Sequence, residues 1–170
     1  INHQAQGEVP GVPLNQFSMD EYNGFLRIAT TTGQSWSIAS LNHLYILDED
    51  LKIAGSVEDL AQGERIYATR FLGDKAYMVT FRQVDPLYAI DVTDPENPFV
   101  VGYLKITGYS SYLHPYDKDH IIGVGMEASQ EGRVQGLKIA LFDITDMENP
   151  KQLSSFDFTQ LNPNIQSYSY

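Results

Sequence analysis

The feature that most constrains this chain is an acidic turn set between two apolar stretches and then repeated. Leu87-Tyr88-Ala89-Ile90 runs into Asp91-Val92-Thr93-Asp94-Pro95-Glu96-Asn97-Pro98, and Phe99-Val100-Val101-Gly102-Tyr103-Leu104 runs out. Proline fixes φ, and Asn or Asp can hydrogen-bond its own backbone, so the middle segment reads as a turn and its flanks as strands. The same Asp-x-Thr-Asp-x-Glu-Asn-Pro pattern returns after Ile139-Ala140-Leu141-Phe142, with Asp143 placed 52 positions after Asp91. A shorter version, Leu44-Tyr45-Ile46-Leu47-Asp48-Glu49-Asp50-Leu51-Lys52, puts Asp48 43 positions before Asp91. Three copies at this spacing predict a repeat architecture whose units each carry about four short strands.

Strand signals fill the units. In the first, residues 15–19 read as a strand, 20–24 as a turn, 25–30 as a strand, and 31–42 as a long polar loop carrying Trp36; residues 44–47 and 51–57 complete the unit. The second has strands at 65–71, 76–81, 87–90 and 99–104, with a tight turn at Gly73-Asp74. The third has strands at 109–113, 120–124, 137–142 and 152–158. Only residues 57–62 suggest a helix, of about one turn. The expected organisation is a lead-in over 1–13 and a partial propeller domain over 14–170. Its units span about 14–57, 64–106 and 107–158, and a further one opens near 166. The fold class is all-β: propeller-like repeats of three four-stranded antiparallel blades plus the start of a fourth.

The chain has 170 residues and is 42% hydrophobic, enough for one domain with its own core. Its 22 Asp and Glu outnumber 11 Lys and Arg, for a net charge of −11. Such a surface repels phosphate backbones and anionic membranes, so neither nucleic acid nor membrane insertion is expected. Cysteine is absent, which excludes disulfides and thiolate chemistry. The first residue is Ile1, not Met, which predicts that the natural N-terminus lies upstream.

At these residues the chain resembles known groups. The segment 87–102 is similar to the LVIVD-type repeat of bacterial and archaeal propellers. A closer resemblance is to secreted proteins with a C-terminal β-propeller domain. It is carried by Asn15-Gln16-Phe17-Ser18-Met19-Asp20-Glu21-Tyr22, Leu26-Arg27-Ile28-Ala29-Thr30-Thr31, Arg70-Phe71-Leu72-Gly73-Asp74-Lys75-Ala76-Tyr77, Val79-Thr80-Phe81-Arg82-Gln83-Val84-Asp85-Pro86 and Tyr112-Leu113-His114-Pro115-Tyr116. It extends over nearly the whole chain from Gly7. The resemblance implies export, to the cell envelope or beyond it, and a parent protein longer than this chain. It implies no activity, because that family is defined by fold.

No Gly-x-Ser-x-Gly, His-Glu-x-x-His or phosphate-binding glycine loop occurs in the sequence. His114 and His120 stand six apart across a turn, a spacing that allows a metal pair, though surface turn histidines are commoner. Asp91, Asp94 and Glu96, and likewise Asp143, Asp146 and Glu148, are hard oxygen ligands suited to calcium. The prolines and the missing Asp-x-Asp-x-Asp-Gly pattern favour plain turns, with Asp and Thr side chains holding backbone amides. No cofactor is expected.

In a four-stranded blade, the first and third connections share one end, and the second connection and the inter-blade linker share the other. The acidic turns belong to the first end. The loops at 31–42, 57–64, 82–86, 107–109 and 127–135 belong to the second. There the candidate ligand residues are Trp36, Glu64, Arg82, Gln83, Asp85, Tyr109, Tyr112 and His114, since long loops with aromatic and charged residues commonly carry binding. Arg82 and Asp85 could instead pair with each other to fix blade packing, as could Glu64 and Arg70 with their neighbours. Two readings compete. One is a non-enzymatic binding or scaffolding module for a protein, peptide or glycan. The other is a hydrolase- or lyase-type enzyme with its site at the propeller mouth. Three units cannot close a ring, so self-association of open ends is also expected.

Overall fold

The computed structural model describes residues 5–34, 37–82, 85–129 and 133–158, and for Asp85 the backbone alone. Twelve strands make up three sheets. The first holds β1 (Met19–Tyr22), β2 (Phe25–Thr32), β3 (Leu41–Leu47) and β4 (Ile53–Leu60). The second holds β5 (Arg65–Leu72), β6 (Lys75–Phe81), β7 (Asp85–Asp91) and β8 (Phe99–Ile106). The third holds β9 (Tyr109–Pro115), β10 (His120–Ala128), β11 (Val134–Asp143) and β12 (Lys151–Asp157). Each sheet is an antiparallel meander in sequence order, and the sheets stack as successive blades.

The core lies between blades rather than inside any one. Ala29, Leu44 and Ile46 of blade 1 meet Ile66, Phe71, Ala76, Met78, Ile90 and Val92 of blade 2. Tyr77, Val79, Leu87 and Ala89 on the other side of blade 2 meet Leu113, Ile121, Ala140, Phe142 and Ile144 of blade 3. Successive strand residues point to opposite faces. Ala76 and Met78 therefore serve one seam, and Tyr77 and Val79 the other. This two-sided burial explains why 76–79 is an unbroken apolar run instead of an alternating one.

Three local expectations are corrected. Residues 15–19 do not form a strand: Gln16–Ser18 is a turn of 3₁₀ helix, because the Asn15 side chain accepts from the Phe17 amide at 2.9 Å. Residues 20–24 are not all turn. β1 continues to Tyr22, since Asp20 pairs across the hairpin with Arg27, and the turn is Asn23-Gly24 alone. Both turn residues have positive φ, 52° and 82°, which suits a two-residue hairpin. Residues 57–62 are not helical: β4 runs to Leu60, held by pairing of Leu44 with Val57 and of Asn42 with Leu60. The fourth unit expected near 166 lies outside the described residues.

The repeated acidic turn has a packing role. Gly55 on β4 pairs with Ile46, and Gly102 on β8 pairs with Ala89, at matching positions of their blades. A Cβ on Gly55 would lie 2.7 Å from the Glu96 carbonyl oxygen and closer still to that of Pro95. One on Gly102 would lie 2.6 Å from the Met147 carbonyl oxygen and closer still to that of Glu148. The acidic turns of blades 2 and 3 are thus each seated on a bare glycine in the outermost strand of the blade before. The matching position of blade 3 is Ser154, paired with Leu141. The lead-in also packs on blade 1. Val12 bridges to Thr31, and a Cβ on Gly7 would lie 2.8 Å from the Leu51 Cβ, in the turn after β3.

Candidate functional site

At the second end, blade 1 hands over to blade 2 through residues 61–64. Ala61 and Gly63 take positive φ, 48° and 82°, which lets the chain reverse within four residues. The loop is pinned from below by two buried polar side chains. Ser40 Oγ donates to the Glu64 carbonyl at 2.9 Å, and Asn42 Nδ2 donates to the Leu60 carbonyl at 3.1 Å. The Gly63 amide in turn donates to the Ser40 carbonyl at 2.9 Å. These bonds fix the backbone from which the Glu64 side chain projects.

Glu64 opens onto a groove of about 790 Å³ lined by Gln62, Glu64, Arg82, Pro86, Tyr88, Tyr103 and Lys105. Thr80 Oγ1 donates to Glu64 Oε2 at 2.6 Å. Half-burial raises the Glu64 carboxyl above its ordinary range, although the Thr80 bond and the charges of Arg82 and Lys105 act in the opposite sense. Tyr88 is half-buried, and its phenol is raised by burial first and by Glu64 next. Tyr88 and Tyr103 are directly opposed on β7 and β8, with ring centroids 6.2 Å apart at an interplanar angle of 48°. Lys105 Nζ stands 5.9 Å from the Tyr103 ring centroid. Gly63 leaves room for Arg82: a Cβ there would meet the Arg82 Nη1 at 3.2 Å.

The sequence candidates do not converge on one site. Glu64 and Arg82 line this groove. Tyr109 belongs instead to the seam of blades 2 and 3, where its ring lies 4.5 Å from Tyr67 and 4.8 Å from Phe81. Tyr112 sits mid-strand on β9 and meets Phe17 edge-on, and the Arg70 guanidinium packs against both rings, 5.3 Å from the Tyr112 centroid and 4.5 Å from that of Phe17. Arg70 Nε donates to the Leu113 carbonyl at 2.8 Å, so this group ties the innermost strands of adjacent blades together. His114 lies near the far end of β9, toward the first end rather than the second, with Nδ1 3.3 Å from the Tyr112 hydroxyl. That is a correction: the strand's direction carries Tyr109 and His114 to opposite ends. Trp36 and Gln83 lie outside the described residues, as does the Asp85 side chain. Gln62, Pro86, Tyr88, Tyr103 and Lys105 were missed; the signal for the two tyrosines was their opposed register across the acidic turn.

His120 Nδ1 bonds Asp117 at 2.9 Å, so His114 and His120 are each engaged by their own neighbour. The acidic turns use their carboxylates as local caps. Asp91 and Asp143 accept from the Thr93 and Thr145 amides at 2.8 and 2.9 Å. Asp94 accepts from the Glu96 amide at 3.0 Å and from Asn97 Nδ2 at 2.8 Å, and Asp146 does the same with Glu148 and Asn149 at 3.0 Å each. The Asn97 and Asn149 side-chain bonds hold Asp94 and Asp146 below the usual carboxylate range. No group of three or more His, Asp or Glu placed to hold a metal occurs among the described residues. No helix among them is long and apolar enough to cross a membrane.

Residues 1–167 match the family model of the beta propeller domain. The chain belongs to that family. Its relatives include an uncharacterized protein of Methanocaldococcus jannaschii, 51% identical over 152 residues, covering 88% of this chain and 24% of the relative. Another, from Archaeoglobus fulgidus, is 48% identical over 156 residues, covering 92% and 23%. This propeller chain therefore spans about a quarter of the length of those proteins. Among solved structures, the acylaminoacyl peptidase of Pyrococcus horikoshii superposes with a TM-score of 0.52 at 16% identity, covering 82% of this chain and 24% of that one. At that identity the likeness is one of fold.

Proposed function

We propose that these blades are a non-enzymatic binding module of an exported protein, with the groove formed by the 61–64 linker and blade 2 as the ligand site. One observation carries the reading: Arg82, Lys105 and the exposed Tyr103 gather at one mouth, around a half-buried carboxylate held by Thr80. Concave sites that join aromatic surface to a few fixed polar groups are where ligands bind. The acidic turns support reading the blades as LVIVD-type repeats, and export rests on the resemblance carried by the sequence. The burial-raised Glu64 carboxyl favours a second reading, a hydrolase- or lyase-type domain with Glu64 as acid at the mouth.

Amide chemical-shift mapping against a mixed panel of oligosaccharides and short peptides tests the first reading. Saturable shifts centred on residues 62–64, 82, 88 and 103–105, lost in Arg82→Gln, are expected. Turnover of a panel member that disappears in Glu64→Gln would establish the second reading instead.

A further inference from the structure

Accepting the groove as a binding site, we infer that its ligand is an acidic saccharide, a sugar ring carrying a carboxylate. The charge balance at the mouth points to an anion. Arg27, Lys52, Lys118 and Lys138 each have an Asp or Glu within 4.0 Å. Arg82 and Lys105 have none among the described residues, although the chain carries twice as many acids as bases. Among the described side chains the one carboxylate lining the groove is Glu64, which is turned to Thr80 and whose burial disfavours its charge. Two exposed cations therefore face the groove, with one half-buried carboxylate between them among the described side chains. A ligand carboxylate would supply counter-charge, and a planar guanidinium can grip that group through two parallel bonds.

The walls say what carries the carboxylate. Tyr103 is 56% exposed and inclined at 48° to the half-buried Tyr88, so Tyr103 is the ring that offers an aromatic shelf. The C–H face of a pyranose is apolar and lies flat against such a shelf, while its hydroxyls point outward and need polar partners. Gln62 offers both a donor and an acceptor at the rim, and Glu64 accepts when charged and donates when protonated. A volume of about 790 Å³ lies within the range of small-molecule sites and leaves room for more than one sugar ring. An acidic peptide would meet the cations equally well, but its backbone amides and carbonyls need strand-edge or backbone partners. β8 is an edge strand and could pair with such a backbone, so the exposed Tyr103 face is what favours the saccharide, and the titration includes an acidic peptide.

The test is calorimetric titration of the chain with trigalacturonic acid, cellotriose and hexaglutamate at 20 and 300 mM NaCl. Saturable binding of trigalacturonic acid is expected, weakened at least tenfold by Arg82→Gln, by Lys105→Gln and by Tyr103→Ala, and weakened by salt. Arg82, Tyr103 and Lys105 are all exposed, so these variants keep the parent's circular dichroism and melting point. Hexaglutamate binding as tightly as the saccharide, with the same sensitivity to Arg82→Gln, would overturn the saccharide and leave the binding module standing. Cellotriose binding as tightly as trigalacturonic acid would overturn the requirement for a charge. Binding of none of the three, or binding that Arg82→Gln and Tyr103→Ala leave untouched, would overturn the groove itself as the site.

Discussion

Replacing Gly102 with alanine tests the glycine seat directly. Its φ is not left-handed, so the methyl strains no backbone dihedral, and its effect is steric. The added Cβ would meet the Met147 carbonyl oxygen at 2.6 Å, where ordinary contact begins near 3.4 Å. The obstacle is backbone, which cannot swing aside as a side chain can. The acidic turn of blade 3 must lift by roughly an ångström or β8 must bow, and overpacking of this kind costs about 1–3 kcal/mol. The alanine also restricts the unfolded chain, which returns about 0.4–1 kcal/mol. The net expectation is a loss of roughly 1–2 kcal/mol, read as a drop in melting temperature of about 2–8 °C for a chain of this size. Gly55→Ala meets the Glu96 carbonyl oxygen at 2.7 Å and should lose a similar amount. Because the two seats lie in different seams, their effects should add within about 0.5 kcal/mol in the double variant. Ser154→Ala is the control, since that position already carries a Cβ. Urea unfolding followed by circular dichroism measures all four. Midpoints for Gly55→Ala and Gly102→Ala that match the parent would refute the seat.

Tyr77 is fully buried and its hydroxyl finds no hydrogen-bond partner among the described residues; Tyr77→Phe should therefore gain about 1 kcal/mol, visible as a higher urea midpoint. Glu64 has a raised carboxyl, so the folded state holds its proton longer than the unfolded state does. Its contribution is fully present below the ordinary Glu range and is lost as pH rises through the raised value, so the stability difference between parent and Glu64→Gln should change across that window and flatten on either side. The acidic turns should take up no calcium at micromolar concentration, because their carboxylates already cap backbone amides; a calorimetric signal abolished by Asp94→Ala would contradict this. Phe156 and Leu153 on the outermost strand of blade 3 are 43% and 52% exposed, together with Ile139 on β11. Light scattering should show association that rises with protein concentration, and a heat-stable monomer of 19.1 kDa that ignores apolar dyes would count against it.

The blades were legible because each is a local object. Four strands joined in sequence order leave their signal in adjacent residues, and Asp91 and Asp143 marked matching places 52 residues apart. The errors arose where side chains overrode propensity. Asp20 and Glu21 look like turn residues, yet Arg27, 2% exposed, holds Asp20 at 2.6 Å and carries the strand onward to Tyr22. The groove was half legible. Glu64 and Arg82 lie in loops and invite a ligand reading. Tyr88, Tyr103 and Lys105 lie within strands, and their exposure depends on how far blade 1 overlaps blade 2, a long-range fact that no local window contains. Tyr112 was misread for a related reason: an aromatic ring beside a cation, closing a gap between blades, has the same composition as a binding site, whereas the structural reading of Arg70 agrees with its bond to the Leu113 carbonyl.

The seating of the acidic turns of blades 2 and 3, each on the preceding blade, gives the stack a direction. Every joint pairs a bare glycine on one unit with carbonyl oxygens on the next, so the two sides of a unit are unlike and joining is head to tail. Cutting between units 14–57, 64–106 and 107–158 would break that joint, because seat and turn lie on opposite sides of the cut. Cutting just before a seat, between the acidic turn of a blade and the glycine on the next strand of that blade, keeps each seat in one piece with the turn it receives. Recombination among such proteins should therefore tolerate gain or loss of a whole repeat when the seat residue stays small, and should fail when a bulky side chain arrives there, however well the rest of the repeat is matched.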